Sequence, residues 1–408
     1  MLVIAVKGLR QPLDSRAGSS PISRAQHRRE VIKRDPGAAM GEIRLSSKTI
    51  AALAGVSQST VSRVLNHHPN VRDSTRRRVL SVIESLNYVP NSLARSLVTG
   101  RTGVIGLVTS NIVNPFFPEF IAEITTIADQ QNLSVILCNT YYDPLHQAQY
   151  VRKLIEHRVD GIIFTTIMTT DTAVADLARK AFPLVFVNRY HPRVRADTVV
   201  IDNYDGAIKA VNHFLDLGHR RIAYVRGILD STTNRDRERG YRDALRQAGI
   251  PLRRRDVLDG DFTLEGAYRA GTRFAQIPDR PTAALCADDH TAFGFLNALS
   301  DHRLHVPEDV AVIGFDDVLQ ASFRAIGLTT VRQPVHEMAR IAMDLLLDRI
   351  GGHAPKDSRL VVLPAELVIR RTCGANPAWP QGEVSGTEPQ TPVVRRPVKT
   401  PLSGRRAS

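Results

Sequence analysis

The sequence predicts an α/β protein: a small helix-turn-helix headpiece, a short linker helix, and a larger core built on two doubly wound parallel sheets. Three observations carry this expectation. Two short helical patterns meet at Ala54-Gly55-Val56-Ser57. Beyond residue 103, short apolar strands alternate with helical stretches in two successive series. The charge is also uneven. Of a net +13, residues 1–40 carry +5, residues 41–102 +6 and residues 373–408 +3, which leaves residues 103–372 at −1. A basic end joined to a neutral core suits an anionic polymer as partner. Basic tails that only aid solubility fit the same counts. At 408 residues the chain is too long for one typical domain.

Residues 1–46 contain Arg, Ser and Pro without sustained periodicity and are expected to be disordered. In the headpiece, residues 47–90, Ile50, Leu53 and Ala54 fall at i, i+3, i+4 and give the first helix an apolar stripe. Gly55 supplies a turn that tolerates positive φ. Ser57 caps the next helix, whose buried side is Val61, Val64 and Leu65. The opposite side offers Gln58, Ser59, Thr60, Ser62 and Arg63. Small, hydrogen-bonding and cationic groups on one face suit a DNA major groove, although a plain helical hairpin carries the same pattern. A third helix, Ser74–Leu86, has Val79, Val82, Ile83 and Leu86 on its apolar side. Arg72, Arg76, Arg77 and Arg78 near its start read either as phosphate contacts or as solvated surface. Pro90 disfavours helix at Val89, and Asn91 then caps a short helix, Ser92–Val98, within a linker of residues 91–102.

The core, residues 103–372, opens with strands Val104–Val108, Ser134–Cys138, Gly161–Phe164, Leu184–Val187 and Thr198–Ile201. A second series is Arg221–Val225, Ala283–Cys286 and Val310–Phe315. The chain is expected to cross between the resulting lobes near Ile201-Asp202, near Thr330–Pro334, and again before the strand Leu360–Pro364. A ligand belongs between the lobes, at the carboxyl ends of the strands. Residues 373–408, rich in Pro, Gly, Thr and Arg, are expected to be disordered.

Several function classes find no support. Cys138, Cys286 and Cys373 have neither metal nor disulfide spacing and fit a reducing compartment. The opening MLVIAV is cut short by Lys7, so it is no convincing signal peptide. No apolar run approaches the ~18 residues that span a bilayer. A soluble cytoplasmic protein without a membrane partner is expected. Gly103-Val104-Ile105-Gly106 is not a dinucleotide fingerprint, and no GxxxxGK[ST], GxSxG or HExxH occurs. Neither catalytic residues nor a cofactor or metal are expected.

Ten motifs in order make the reading specific. They are TIAALAGVSQSTVSRVLN, VRDSTRRRVLSVIESLNYVPNSLARSL, TGRTGVIGLV, NPFF, VDGIIF, LGHRRIAYV, GYRDAL, PTAALCADD, VAVIGFDD and LTTVRQP. Over about residues 47–372 the chain resembles the lactose-repressor/galactose-repressor (LacI/GalR) family of bacterial transcription regulators. The resemblance implies a DNA-binding headpiece, a hinge helix, and a periplasmic-binding-protein-like core that senses a small molecule. It assigns operator contacts to Thr49, Gln58, Ser59, Thr60, Ser62, Arg63 and Asn66. In the hinge it assigns Asn91, Ala94 and Leu97, with Leu97 wedging between base pairs in the minor groove. It also places Met40, just before the headpiece, where relatives usually begin. Met40 is therefore expected to be the native start, with a basic arm assisting DNA binding as the alternative.

The same resemblance places Asn114, Phe116, Arg189, Arg237, Phe262 and Asp289 at the effector cleft. Arg237 and Asp289 can each hold vicinal hydroxyls with two hydrogen bonds, and the two rings can stack on a sugar's apolar face. A sugar or sugar acid is the effector expected. Two departures bear on its identity: Asn111 stands where many relatives have Asp, and Asp288-Asp289 where they have Asn-Asp. Purine-sensing members carry an additional Arg where this chain reads Ser231-Thr232-Thr233, which argues against a purine. The expected assembly is a homodimer, because the tail lacks the leucine heptads of a tetramerising bundle. A purine or protein co-factor, and a transport-associated sugar-binding protein, are the alternatives.

Overall fold

A computed structural model describes residues 46–65, 68–86 and 100–375, and the backbone of Val393–Arg395. Two compact units divide at Gly100/Arg101.

The first unit holds α1 (Ser47–Ala54), α2 (Gln58–Leu65) and α3 (Asp73–Ser85) around a small core. Ser46 caps α1 by accepting the Thr49 N–H at 3.3 Å, and Gly55 ends it at φ +60°. Ile50, Ala51, Ala54, Val61, Val64 and Val79 are buried, with Val82, Ile83 and Leu86 packed against them. Leu53, expected in the stripe, is instead 60% exposed. The true stripe is Ile50, Ala51 and Ala54, the neighbouring phase of the same helical period, and it leaves Leu53 on the outer shoulder.

The second unit contains two sheets. The N-terminal lobe is formed by β1 (Val104–Thr109), α4 (Phe116–Gln130), β2 (Ser134–Asn139), α5 (Pro144–Glu156), β3 (Gly161–Phe164), α6 (Thr172–Arg179), β4 (Leu184–Val187) and β5 (Asp197–Ile201). The C-terminal lobe follows as α7 (Asn203–Asp216), β6 (Ile222–Arg226), α8 (Thr232–Gln247), β7 (Val257–Asp259), α9 (Leu264–Ala275), β8 (Ala283–Cys286), α10 (Asp289–Asp301), β9 (Ala311–Asp316) and β10 (Thr329–Arg332). The chain then returns through α11 (Val335–Gly351) and β11 (Leu360–Leu363) to the first lobe, and through β12 (Glu366–Val368) to the second. The last described strand is β13 (Val393–Arg395). Strand order is 13-11-5-4-3-1-2 in one sheet and 12-10-9-8-6-7 in the other. All pairs are parallel except β10–β12 and β11–β13.

Helices cover both faces of each sheet, so the strands read as unbroken apolar runs. Alternate residues serve opposite faces: Val185 and Val187 of β4 join the larger core, while Leu184 and Phe186 join the cluster under α5 and α6.

The crossings near Ile201-Asp202 and in Thr330–Pro334 lie where expected. The third does not precede Leu360. Strand β11 pairs in parallel with β5, because the edge of β5 is the open place in the first sheet, and the chain crosses after it, at Pro364-Ala365. The expectation of a tail without regular structure is corrected at Val393–Arg395, where a β-branched pair takes the outer edge of β11. No helix among the described residues is long and apolar enough to cross a membrane.

Candidate functional site

In the first unit α2 presents the polar face. Ser57 caps it, accepting the Thr60 N–H at 3.1 Å and sharing hydroxyl contacts of 2.8 Å with both Ser59 and Thr60. Gln58 donates from Nε2 to Ser47 Oγ at 2.8 Å, which ties α2 to the start of α1. Gln58, Ser59, Ser62 and Arg63 are exposed, and Thr49 and Thr60 half-buried. Gln58, Ser59, Thr60, Ser62 and Arg63 thus share one short helix, and Thr49 lies on α1. Of the arginines at the start of α3, Arg76 is committed to the fold: its guanidinium donates to the His68 carbonyl at 2.7 Å. Arg72, Arg77 and Arg78 are exposed. Asn66, Asn91, Ala94 and Leu97 lie outside the described residues.

In the second unit the strand orders reverse between β1 and β3 and between β6 and β8. Crevices at such switch points, at the carboxyl ends of the strands, are where doubly wound sheets bind ligands. Asn114, Phe116, Arg189, Arg237 and Phe262 converge there with Phe117, Tyr142, Asn188, Thr233, Asp288, Asp316 and Gln333. Asn114 and Phe116 come from the loop after β1 and the start of α4, and Arg189 from the end of β4. Arg237 lies one and a half turns into α8.

Asp289 does not line the cleft. Its carboxylate accepts the Thr330 hydroxyl at 2.6 Å and the Val318 N–H at 3.0 Å, against the back of β9. Burial raises its pKa to about 7. The cleft-facing acid is its neighbour Asp288, the N-cap of α10. Asp288 accepts the Thr291 N–H at 2.7 Å and, across the lobes, Asn114 Nδ2 at 2.9 Å. Asn111 spends its side chain on an Asx turn, accepting the Val113 N–H at 3.1 Å.

Arg237 is a strut. Nε donates to Asn203 at 2.8 Å, Nη1 to the Ala287 carbonyl, and Nη2 stands 3.6 Å from Asp316. Its guanidinium also lies 3.6 Å from the centre of the Phe315 ring. Burial pulls the Arg237 pKa down, and Asp316 opposes it. Burial pushes Asp316 well up, against Arg237. Arg189 sits between rings of opposite lobes, 5.4 Å from Tyr142 and 5.4 Å from Phe262. Gly227 lets Phe262 approach: a Cβ there would overlap the ring, nearest its Cζ.

Tyr142 and Gln333 were not read from the sequence. Each follows a strand, β2 and β10, and strand-end position is the signal that would have found them. Asn188 and Asp316 carry the same signal at the ends of β4 and β9, and Asp288 was read from the sequence only as a departure from relatives.

Two properties set the cleft apart. Seven of the eleven buried side-chain polar atoms that lack a partner among the described residues lie at the ends of β1 to β4: on Thr109, Ser110, Asn139 (two), Thr166, Asn188 and Arg189. Gln333 Oε1 is an eighth nearby. The lobes are also closed. Open space in the cleft is about 20 Å³, room for about one water. Thr169 and Thr170 reach Asp230 on the other lobe, and Tyr190 reaches Asp236 at 3.0 Å.

Comparison with known proteins finds a family match in each unit. Residues 48–91 match the model for bacterial regulatory proteins of the lacI family, and residues 211–373 that for a periplasmic binding protein-like domain. The chain is 33% identical over 327 residues to the HTH-type transcriptional repressor PurR of Photobacterium profundum, covering 80% of this chain and 97% of that protein. Among solved structures, the lac repressor dimer bound to operator and the anti-inducer ONPF is similar at 29% identity and a TM-score of 0.71, covering 81% of this chain and 99% of that one. The complex of the transcriptional regulator CelR with cellobiose is similar at 30% identity and a TM-score of 0.61, covering 81% and 100%.

Proposed function

Because the chain belongs to the lacI family of bacterial regulatory proteins, we propose that its operator affinity is set by a small polyhydroxylated effector held between the two lobes of its core. The protein is a sequence-specific DNA-binding transcription regulator and not an enzyme. In this reading it acts as a homodimeric repressor. Residues 47–90 read the operator through Thr49, Gln58, Ser59, Thr60, Ser62, Arg63 and Asn66. Residues 91–102 form a hinge in which Asn91, Ala94 and Leu97 enter the minor groove. Residues 103–372 sense the effector.

The observation that carries the effector reading is the cluster of partnerless polar atoms at the switch point of the first sheet. Buried polar groups are ordinarily satisfied, so a concentration of orphans marks hydrogen-bonding capacity kept for something else. Of the residues that carry these orphans, Asn188, Arg189 and Gln333 line the crevice flanked by Phe116 and Phe262, and Ser110 and Thr166 line a recess next to it that shares Tyr142. Amides and a guanidinium between two rings match a polyol better than a flat apolar ring. The CelR relative binds cellobiose. Asn114, Phe116, Arg189, Arg237, Phe262 and Asp288 are the proposed contacts. Asp289 takes a supporting role one residue behind.

Entry requires the lobes to part, since the closed cleft admits only about a water. An effector that touches both lobes favours one lobe arrangement, and it shifts operator binding only by as much as it prefers that arrangement. Couplings of this kind are about 1–3 kcal/mol, roughly 5–150-fold in operator affinity.

The test is fluorescence anisotropy of the full chain on operator DNA, with and without a carbohydrate panel, beside calorimetric titration of the same panel. Binding of a panel member that changes operator affinity at least about fivefold is expected. Binding unaffected by Arg237→Ala would move the sensing site out of the cleft.

A further inference from the structure

Arg189 distinguishes itself from the other cationic side chains drawn into the core. Arg221 faces Asp256, Arg237 faces Asp316, Arg349 and Arg359 share Asp197, and Arg370 faces Asp317. Arg189 is 2% exposed, yet among the described residues no carboxylate oxygen lies within 4.0 Å of it. Its Nε–H has no acceptor, Nη1 meets the Met168 thioether at 3.7 Å, and its remaining polar partner is the uncharged Tyr142 hydroxyl.

Both acids of the cleft are spoken for. Asp288 gives one oxygen to the Thr291 N–H and the other to Asn114. Asp316 accepts Gln333 Nε2 at 2.6 Å and faces Arg237. Neither is free to swing to Arg189 without stripping a buried group of its partner. A buried guanidinium without a counter-ion is costly, and rings lying over it compensate only in part. The planar fork of N–H donors is matched best by two oxygens of an oxyanion.

We infer that the effector carries a carboxylate or phosphate group, and that Arg189 binds this oxyanion while the remaining cleft residues hold the hydroxyls. This rests on the effector reading above and narrows it to acidic carbohydrates: sugar acids or sugar phosphates. Arg189 lies between Tyr142 of one lobe and Phe262 of the other, so an anion bound to it contributes to closure as well as to affinity.

The experiment is calorimetric titration of the full chain, at fixed ionic strength, with matched triplets. Each triplet contains a neutral sugar, its acid and its phosphate: glucose, glucuronate and glucose 6-phosphate, then the galactose and mannose equivalents. Within a triplet that binds, the acid or the phosphate is expected to exceed the neutral member about 10- to 150-fold, the range for hydrogen bonds to a charged group. Which of the two does so tells carboxylate from phosphate. Arg189→Gln should erase that advantage and Arg189→Lys keep part of it, because lysine retains the charge without the fork. A neutral sugar that binds as tightly as its acid and phosphate overturns the oxyanion and leaves the effector cleft standing. An acid preference that survives in Arg189→Gln overturns the assignment to Arg189. No binding by any member overturns both readings. The comparison within wild-type protein decides the charge even where a variant fails to fold.

Discussion

Replacing Asp289 with asparagine separates the two adjacent acids, Asp288 and Asp289, that the sequence could not tell apart. The asparagine keeps both contacts: Oδ1 accepts the Val318 N–H, and Nδ2 donates to the Thr330 hydroxyl in place of the bond now made at 2.6 Å. What changes is the charge. The Asp289 pKa is raised to about 7 by burial, against about 3.9 in an unfolded chain. A raised carboxylate pKa means that folding favours the protonated form. Its contribution is fully present below the unfolded pKa and is lost as pH rises through the folded one. Integrated over that window, the aspartate costs about 1–2 kcal/mol at pH 5 and about 4 kcal/mol at pH 8. The substituted asparagine carries no such cost. Thermal melts of wild type and Asp289→Asn should therefore diverge as pH rises, by roughly 5–10 °C between pH 5 and pH 8 for a domain of this size. Effector titrations should stay close to wild type. A melting difference that is flat or shrinks with pH would show that Asp289 is not held protonated. A lost effector response would put its carboxylate in the cleft after all.

Three further outcomes follow from the same geometry. Arg63→Ala should weaken operator binding by about 1–3 kcal/mol while barely touching binding to random DNA, since Arg63 is exposed where a guanine edge can be read; equal losses in a gel-shift comparison would make Arg63 a phosphate contact. Gly227→Ala should expel the Phe262 ring from its seat and weaken effector binding by about 0.5–2 kcal/mol, the worth of the ring's contact with Arg189; an unchanged calorimetric affinity would remove Phe262 from the site. Burial favours the neutral form of Asp197, but hydrogen bonds from Arg349 and Arg359 outweigh it and hold the pKa low. Its stabilisation is present above the unfolded pKa and lost as pH falls through the folded one. Asp197→Asn should cost about 3–5 kcal/mol at neutral pH in urea melts, and the deficit should shrink on acidification below pH 4; a deficit independent of pH would refute the charge argument.

Much of the fold was legible because its signals are redundant. The runs at β3 and β4 have no polar residue on either face, which only a sheet covered on both sides requires. The turn at Gly55 was legible because one backbone conformation and one capping serine coincide there. Elsewhere the signal was degenerate. Ile50 and Ala54 fit two helical phases, and alanine at 51 argued less loudly than leucine at 53, so the stripe was drawn one residue off. Strands β7 and β12 hold three residues each, too few for periodicity. Thr330 to Arg332 of β10 read as part of a crossing segment because the strand is buried between neighbours that the sequence does not announce. In the cleft, Asp288 and Asp289 differ by one step across a helix boundary. The extended backbone of Asp288, at φ −152°, aims it at the cleft, while Asp289, inside the helix, turns toward β9 and β10.

The pairing of β11 with β5 has a consequence for how the protein is made. Leu360 stands opposite Thr198, so β5 gains its neighbour from residues that leave the ribosome after all of the second lobe but its last strand, β12. Until then β5 is an edge, Val199 to Ile201 presenting unpaired N–H and C=O groups on an apolar strand. Neither lobe can mature as an independent N-terminal module, and contacts of such long sequence separation are slow to form. A chain truncated before residue 360 would keep the headpiece helices and all of β1 to β10, yet expose an adhesive strand to its neighbours. For this regulator an interrupted message yields aggregation rather than a smaller functional sensor.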